Sequence, residues 1–231
     1  MTRLVVVTAG LSQPSVTRLL ADRLTDAVGD RLRVKDQEPE VTVLELRELG
    51  TDIMSAMLTA GMSSARLTQA GAAIAAADAV LAVTPVFTAS YSGLFKSFFD
   101  ALDPGVLRGT PVLIGATAGT ERHSLVLDHA LRPMFTYLQA VVVPTGVFAA
   151  TSDFGGKGDG VVDGLSQRIA RAADELVALL SRHDTPSSGR DASGPSTPDS
   201  ARRHTDALAR AEADEAAGSF TPFDQLLGHS A

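Results

Sequence analysis

The fold is decided by residues 79–100, which read AVLAVTPVFTASYSGLFKSFFD. The first five residues form a short, continuously apolar run, which is typical of a central strand of a parallel sheet buried on both faces. Pro85 has no amide hydrogen and a fixed φ, so we expect it to end this strand. The chain then leaves the sheet at the carboxyl end of the strand, the edge at which open α/β folds bind their ligands.

The loop after this strand, residues 87–92, combines aromatic faces, small residues and hydroxyl groups without a formal charge. Such a composition suits a flat, neutral ring. Apolar residues then recur at helical spacing; they are Leu94, Phe95, Phe98, Phe99 and Leu102. The segment therefore predicts a strand, a loop suited to a ring, and a helix.

The composition narrows the functional classes. With 231 residues, 45% of them hydrophobic, the chain can bury a full core, and we expect one domain with an appendage. The net charge of -7 gives no general attraction to nucleic acid or anionic membranes, so small molecules are the expected partners. Because cysteine is absent, a redox role would depend on a bound cofactor. Without a signal or membrane-spanning segment, we expect a cytoplasmic protein.

Strands and helices alternate along the rest of the chain. Apolar runs predict four more strands, at residues 4–7, 41–46, 111–116 and 141–143. Helical spacing predicts helices at residues 15–28, 66–77, 125–131 and 165–180, and an irregular or helical segment at 53–64. The alternation predicts an α/β fold with a doubly wound, five-stranded parallel sheet.

Composition also divides the chain into three parts. Residues 1–182 carry the alternating pattern and form the expected domain. Residues 183–200 are rich in Ser, Pro, Gly, Thr and Asp, and with so little apolar surface they are predicted to be a disordered linker. Residues 201–231 form a C-terminal tail, whose apolar segment 220–227 (FTPFDQLL) we expect to dock on its own or a neighbouring subunit. Recognition by another protein is the alternative.

Two further segments follow strands and suit a ligand. Ser15 can cap the first helix, and several hydroxyl groups surround the positive amino end of that helix, where an anion fits. The same residues also suit an ordinary turn and cap. Residues 117–123 follow the strand at 111–116, are small and hydroxylic, and form a second ring-contacting loop by position. His123, at a helix start, is more often a cap or a positioning group than an acid or base.

Three motifs resemble the flavodoxin-like NAD(P)H-dependent FMN reductases, which include the sulfonate-utilisation FMN reductases. They are TPVFTASYSGLFKSFFD at 84–100, GATAGTERHSLVLDHALRP at 115–133 and a weaker match at 9–17. The last resembles the pattern G-S-x-R-x-x-S-x-S/T, onto which Ser15 and Thr17 map. Gly10 stands in place of the common Ser, and Ser12 in place of the Arg. We expect the absence of this Arg contact to weaken FMN binding by about 1.5–3 kcal/mol, which favours an exchangeable flavin.

The resemblance implies a site and a reaction. Hydride would pass from NADH or NADPH to N5 of FMN through positioning and fixed dipoles, without a catalytic side chain or a metal. The implied FMN contacts are, for the phosphate, Ser12, Ser15 and Thr17; for the ring, Pro85, Val86, Phe87, Thr88, Ser90 and Tyr91; and for the flavin edge, Thr117, Ala118 and Gly119. Reduced FMN would reach a partner monooxygenase, and the protein would be a homodimer or homotetramer.

Two other functions stay open at this point. One is a quinone or azo reductase that retains its FMN, and the other is a non-catalytic flavodoxin-like electron carrier. The chain has no Walker motif, no dinucleotide-binding G-x-G-x-x-G after the first strand, and no G-x-S-x-G elbow. Its residues do not decide between NADH and NADPH.

Overall fold

The computed structural model describes residues 1–59, 63–154 and 164–183. Within them the strands are β1 (Thr2–Thr8), β2 (Pro39–Glu45), β3 (Ala79–Phe87), β4 (Ser90–Tyr91), β5 (Pro111–Ala118), β6 (Val141–Val142) and β7 (Val147–Ala150). The α-helices are α1 (Val16–Arg33), α2 (Leu46–Leu58), α3 (Ala65–Ala76), α4 (Gly93–Asp100), α5 (Arg132–Tyr137) and α6 (Gly164–His183). A π-helical turn at Leu127–Leu131 leads into α5. No helix in this described part is long and apolar enough to cross a membrane.

The sheet has the order β2-β1-β3-β5-β6 with parallel pairing, which confirms the predicted doubly wound α/β fold. Two features refine the five-strand prediction. The short strand β4 forms an antiparallel hairpin with β3, and the fifth position of the sheet is shared by β6 and β7, which both pair with β5. The last strand is therefore interrupted, between residues 143 and 146, where Pro144 lies.

The central strands β1, β3 and β5 are buried on both faces, as their apolar sequences require, whereas the edge strand β2 is largely exposed. Alternate residues of β1 and β3 point to opposite sides. On one side they pack against α2, α3, α4 and α5, and on the other against α1 and α6. This packing leaves the carboxyl ends of the strands as the edge at which loops meet.

The prediction that Pro85 ends the central strand is wrong, because β3 continues to Phe87 and Pro85 pairs with Thr117. Residues two positions apart in a strand, such as Val83 and Pro85, direct their backbone N–H and C=O groups toward the same neighbouring strand. Val83 faces β1, since its carbonyl accepts from the amide of Ala9 at 3.0 Å. Pro85 faces that same side, beyond the end of β1, so its missing N–H costs the sheet no hydrogen bond.

Other boundaries also differ from the prediction. The first turn of α2 begins directly after β2, so residues 47–52 are helical rather than a connection. The strand predicted at residues 41–46 begins two residues earlier, at Pro39, and proline is tolerated as the first residue of this edge strand β2. The predicted linker and tail lie outside the described residues from 184 onward, so their disorder and docking stay predictions.

Candidate functional site

The three segments predicted to bind a ligand meet at one edge of the sheet. In the parallel register Thr8 of β1 lies opposite Val83 of β3, and Pro85 of β3 lies opposite Thr117 of β5. The segment after β1, the end of β3 and the end of β5 are therefore neighbours. This edge is the carboxyl end of the sheet, as expected for a ligand site in an open α/β fold.

The loop between β1 and α1 closes on itself around Gly10. Ser15 is the N-cap of α1, and its Oγ accepts from the amide of Arg18 at 3.2 Å. A Cβ added at Gly10 would lie 2.0 Å from that Oγ and 3.2 Å from the Cβ of Thr17. The glycine that departs from the resembling pattern thus leaves room for the Ser15 side chain in this closely packed loop, while Ser12 is exposed.

A pair of buried hydroxyl groups joins this loop to the end of β5. Thr17 Oγ1 and Thr117 Oγ1 lie 2.8 Å apart, and the two residues are only 4% and 5% exposed. One hydroxyl donates to the other, which leaves the acceptor with its own hydrogen for a further partner. Both residues were predicted to contact flavin. In the structure, their hydrogen bond connects the start of α1 to the end of β5.

Valine substitutions at Thr17 and Thr117 measure this pairing. Each single change is expected to lower the free energy of unfolding by about 1–3 kcal/mol, because it leaves one buried hydroxyl unpaired. The double variant removes both polar groups, so it is expected to cost less than the sum of the two single variants. Denaturant melts of all four proteins check this result, and additive costs would contradict the coupling.

The predicted ring-binding loop is a tight hairpin. Thr88 and Ala89 form its two-residue turn, with φ of +48° and +66°, and Phe87 beside them is 45% exposed. Such turns usually hold Asn-Gly, since left-handed backbone costs other residues about 1–2 kcal/mol each. The strained turn therefore presents Phe87 and Thr88 at the ligand edge, with Ser90 and Tyr91 half-buried beneath them.

The base of the hairpin holds this turn in place. Thr84 is fully buried, and its Oγ1 accepts from the amide of Ser92 at 3.1 Å and donates to the carbonyl of Pro85 at 2.9 Å. Ser92 Oγ in turn caps α4 by accepting from the amide of Phe95. The ring of Tyr91 packs on Phe95, with 6.2 Å between centroids. The exposed turn is thus anchored to the aromatic core.

The end of β5 forms the other side of the edge. Thr117 and Ala118, predicted as loop residues, are the last two residues of the strand, where they pair with β7. Gly119 follows and is exposed, and a Cβ added there would meet no heavy atom within 4 Å. Main-chain amides near this glycine are accessible to a planar ligand. His123 is half-buried in a short 3-10 turn.

The residues at this edge fit a flavin mononucleotide. Hydroxyl groups and the amino end of α1 suit its phosphate, and the neutral hairpin suits its ring. Thr8, at the end of β1, is 2% exposed, and within the described residues its Oγ1 has no hydrogen-bond partner. A buried hydroxyl without a partner calls for an external one.

Two arginines near the loop were missed by the sequence prediction. Arg18 lies in the first turn of α1, where its hydrogen bond to Asp22 raises its pKa, and Arg47 lies in the first turn of α2. Glu45 accepts from both guanidinium groups at 2.5 Å. The position of Arg47 just after β2, the neighbour of β1, is the signal that would have placed it at this edge.

A parallel sheet of the order β2-β1-β3-β5-β6 is typical of the flavodoxin-like class of α/β proteins. The family described as NADPH-dependent FMN reductase matches residues 2–155. The chain belongs to this family, which confirms the resemblance found in the sequence.

Individual relatives agree with this assignment. An FMN reductase (NADPH) of Pseudomonas aeruginosa is 38% identical over 178 residues, which are 77% of this chain and 92% of that protein. The NADH-dependent FMN reductase SfnF of Pseudomonas putida is 41% identical, with the same coverage of both proteins. An oxidoreductase from Corynebacterium diphtheriae with a known crystal structure is 49% identical in sequence. Its structure matches this one with a TM-score of 0.74, over 79% of this chain and 98% of that one.

Proposed function

We propose that this member of the family is an NAD(P)H:FMN oxidoreductase that reduces FMN and hands it on to a partner monooxygenase. Membership of the family makes it a flavin-reducing oxidoreductase with FMN and NADH or NADPH as cofactors. The observation that carries the proposal is the meeting of the β1–α1 loop, the β3–β4 hairpin and the end of β5 at one sheet edge.

Each segment has a part in binding. Ser12, Ser15 and Thr17 would surround the phosphate at the amino end of α1. The hairpin residues from Pro85 to Tyr91 would lie against the ring on one side, while Thr117 to Gly119 would meet its edge on the other. Pro85, Thr17 and Thr117 are buried, so they act chiefly by holding the more exposed residues in position.

Bound FMN supplies the ring that accepts hydride from the nicotinamide, and the protein contributes position and fixed dipoles. The backbone N–H of Gly119, the first residue beyond β5, would stabilise the negative charge of a reduced ring, because this exposed glycine lets the main chain come close. Hydride transfer needs no strong protein base, so no catalytic side chain is assigned.

Other parts of the proposal concern the protein's surroundings. We place it in the cytoplasm as a homodimer or homotetramer. The SfnF relative carries NADH-dependence in its name, and the Pseudomonas aeruginosa relative carries NADPH, so both nicotinamides stay candidates. Release of reduced FMN to a monooxygenase fits a phosphate loop without an arginine of its own.

Oxidation of NADH and of NADPH, followed with added FMN, FAD and menadione, tests this function. We expect turnover with FMN and little flavin bound to the purified protein. Copurified FMN with ping-pong reduction of menadione would instead support the quinone or azo reductase. Absence of nicotinamide oxidation with any acceptor would favour the electron carrier.

A further inference from the structure

The loop that would hold the phosphate carries no charged side chain of its own, since residues 9–17 read AGLSQPSVT. The amino end of α1 is one source of positive potential there. A second source, Arg47, reaches the loop from α2, the helix that follows the neighbouring strand β2. Arg47 stands in the first turn of α2, directly after β2, and it extends across to Ser12 and Gln13.

The guanidinium of Arg47 is held in a defined position over the loop. Its Nη1 donates to the carbonyl of Ser12 at 3.3 Å. With the side-chain amide of Gln13 oriented so that its oxygen faces the arginine, that oxygen accepts from Nη1 at 2.7 Å and from Nη2 at 2.6 Å. Arg47 is 21% exposed, so it is partly shielded from water yet open to a ligand.

Neighbouring charges keep this guanidinium at the loop. Glu45 lies between Arg47 and Arg18 and accepts from both. Asp22, further along α1, pairs with Arg18 through its Nε at 2.7 Å. The charges of these two arginines and two carboxylates cancel. They are not evenly placed, however, because Asp22 lies on the second turn of α1, whereas Arg47 lies at the loop itself. The arrangement therefore directs positive charge toward residues 12 and 13.

We propose that Arg47 binds the flavin phosphate and thereby selects FMN over riboflavin, an inference that rests on the proposed function. The oxygen of Gln13 is the acceptor that a phosphate oxygen replaces. A phosphate oxygen carries negative charge that the neutral amide oxygen of Gln13 lacks, so the positive guanidinium attracts it more strongly and the exchange is favourable. The planar guanidinium, whose two Nη groups donate to the single oxygen of Gln13, has the geometry to donate to two phosphate oxygens.

Fluorescence titrations of FMN and of riboflavin compare the unaltered protein with Arg47→Ala, Arg47→Lys and a control, Arg33→Ala. The control removes the same charge from the opposite end of α1. Arg33 is half exposed there and pairs with Asp30 and Glu38. We expect Arg47→Ala to bind FMN about tenfold more weakly, with riboflavin affinity unchanged. Arg47→Lys should lie between, and Arg33→Ala should match the unaltered protein.

Gln13→Glu tests the same contact without removing the arginine. The new carboxylate would occupy the guanidinium and repel a phosphate, so FMN affinity should fall while riboflavin affinity and the melting temperature hold. Equal weakening of FMN and riboflavin in Arg47→Ala, or an FMN affinity that Gln13→Glu leaves unchanged, overturns the proposal. If the unaltered protein binds neither flavin, the proposed function fails as well; the first two outcomes leave that function standing.

Discussion

Replacing Phe95 by alanine is expected to lower the free energy of unfolding by about 3–5 kcal/mol, the largest effect on stability that we predict. Phe95 is fully buried at the centre of an aromatic cluster. Its ring centroid lies 5.0 Å from that of Phe99 and 6.2 Å from that of Phe135, both at steep angles. Removing the ring leaves a cavity between α4 and α5 and also removes these favourable edge contacts.

The same change should reach the candidate site, because Tyr91 of the hairpin packs on Phe95. We expect weaker FMN binding together with the lower stability. Chemical denaturation measures the first effect, with Tyr137→Ala as the control, since Tyr137 is 87% exposed and its loss should cost less than about 0.5 kcal/mol. Equal costs for the two variants would show that the cluster does not support the fold.

The fold was largely predictable because its signals are local. Continuous apolar runs at residues 79–83 and 111–116 mark strands buried on both faces, and both became central strands. Pro85 was misjudged because the effect of a missing N–H depends on what lies opposite. That neighbour, β1, ends just before it, a fact that only the register contains.

The sequence predicted which three segments form the candidate site, but it did not predict the side-chain contacts that connect them. The three segments could be identified because each is rich in hydroxyl groups or small residues and lies at the end of an apolar strand. The contact between Thr17 and Thr117 spans 100 residues of sequence, and Arg47 reaches Ser12 from helix α2. Such pairs depend on side-chain direction after the sheet has formed. The left-handed turn at Thr88 and Ala89 was hidden for another reason, because neither residue favours that backbone.

Gly10→Ser is expected to weaken FMN binding by about tenfold or more, even though serine is common at this position in the resembling pattern. The new Cβ would lie 2.0 Å from Ser15 Oγ and 3.1 Å from Ser15 Cβ, so Ser15 must move. Its hydroxyl then leaves both the candidate phosphate site and the amide of Arg18. Loss of the cap alone costs about 1 kcal/mol of stability.

Titration with FMN and a thermal melt measure the two consequences of Gly10→Ser. Gly93→Ser is the matched control, because a Cβ at Gly93 would meet no heavy atom within 4 Å. An additional serine hydroxyl at position 10 can strengthen phosphate binding only if the loop can open without losing the Ser15 cap. Tighter FMN binding in Gly10→Ser would therefore mean that the loop adapts, and that Ser15 does not hold the phosphate in the position described. Weaker binding with a lowered melting temperature would tie the phosphate site to the close packing of Gly10 against Ser15.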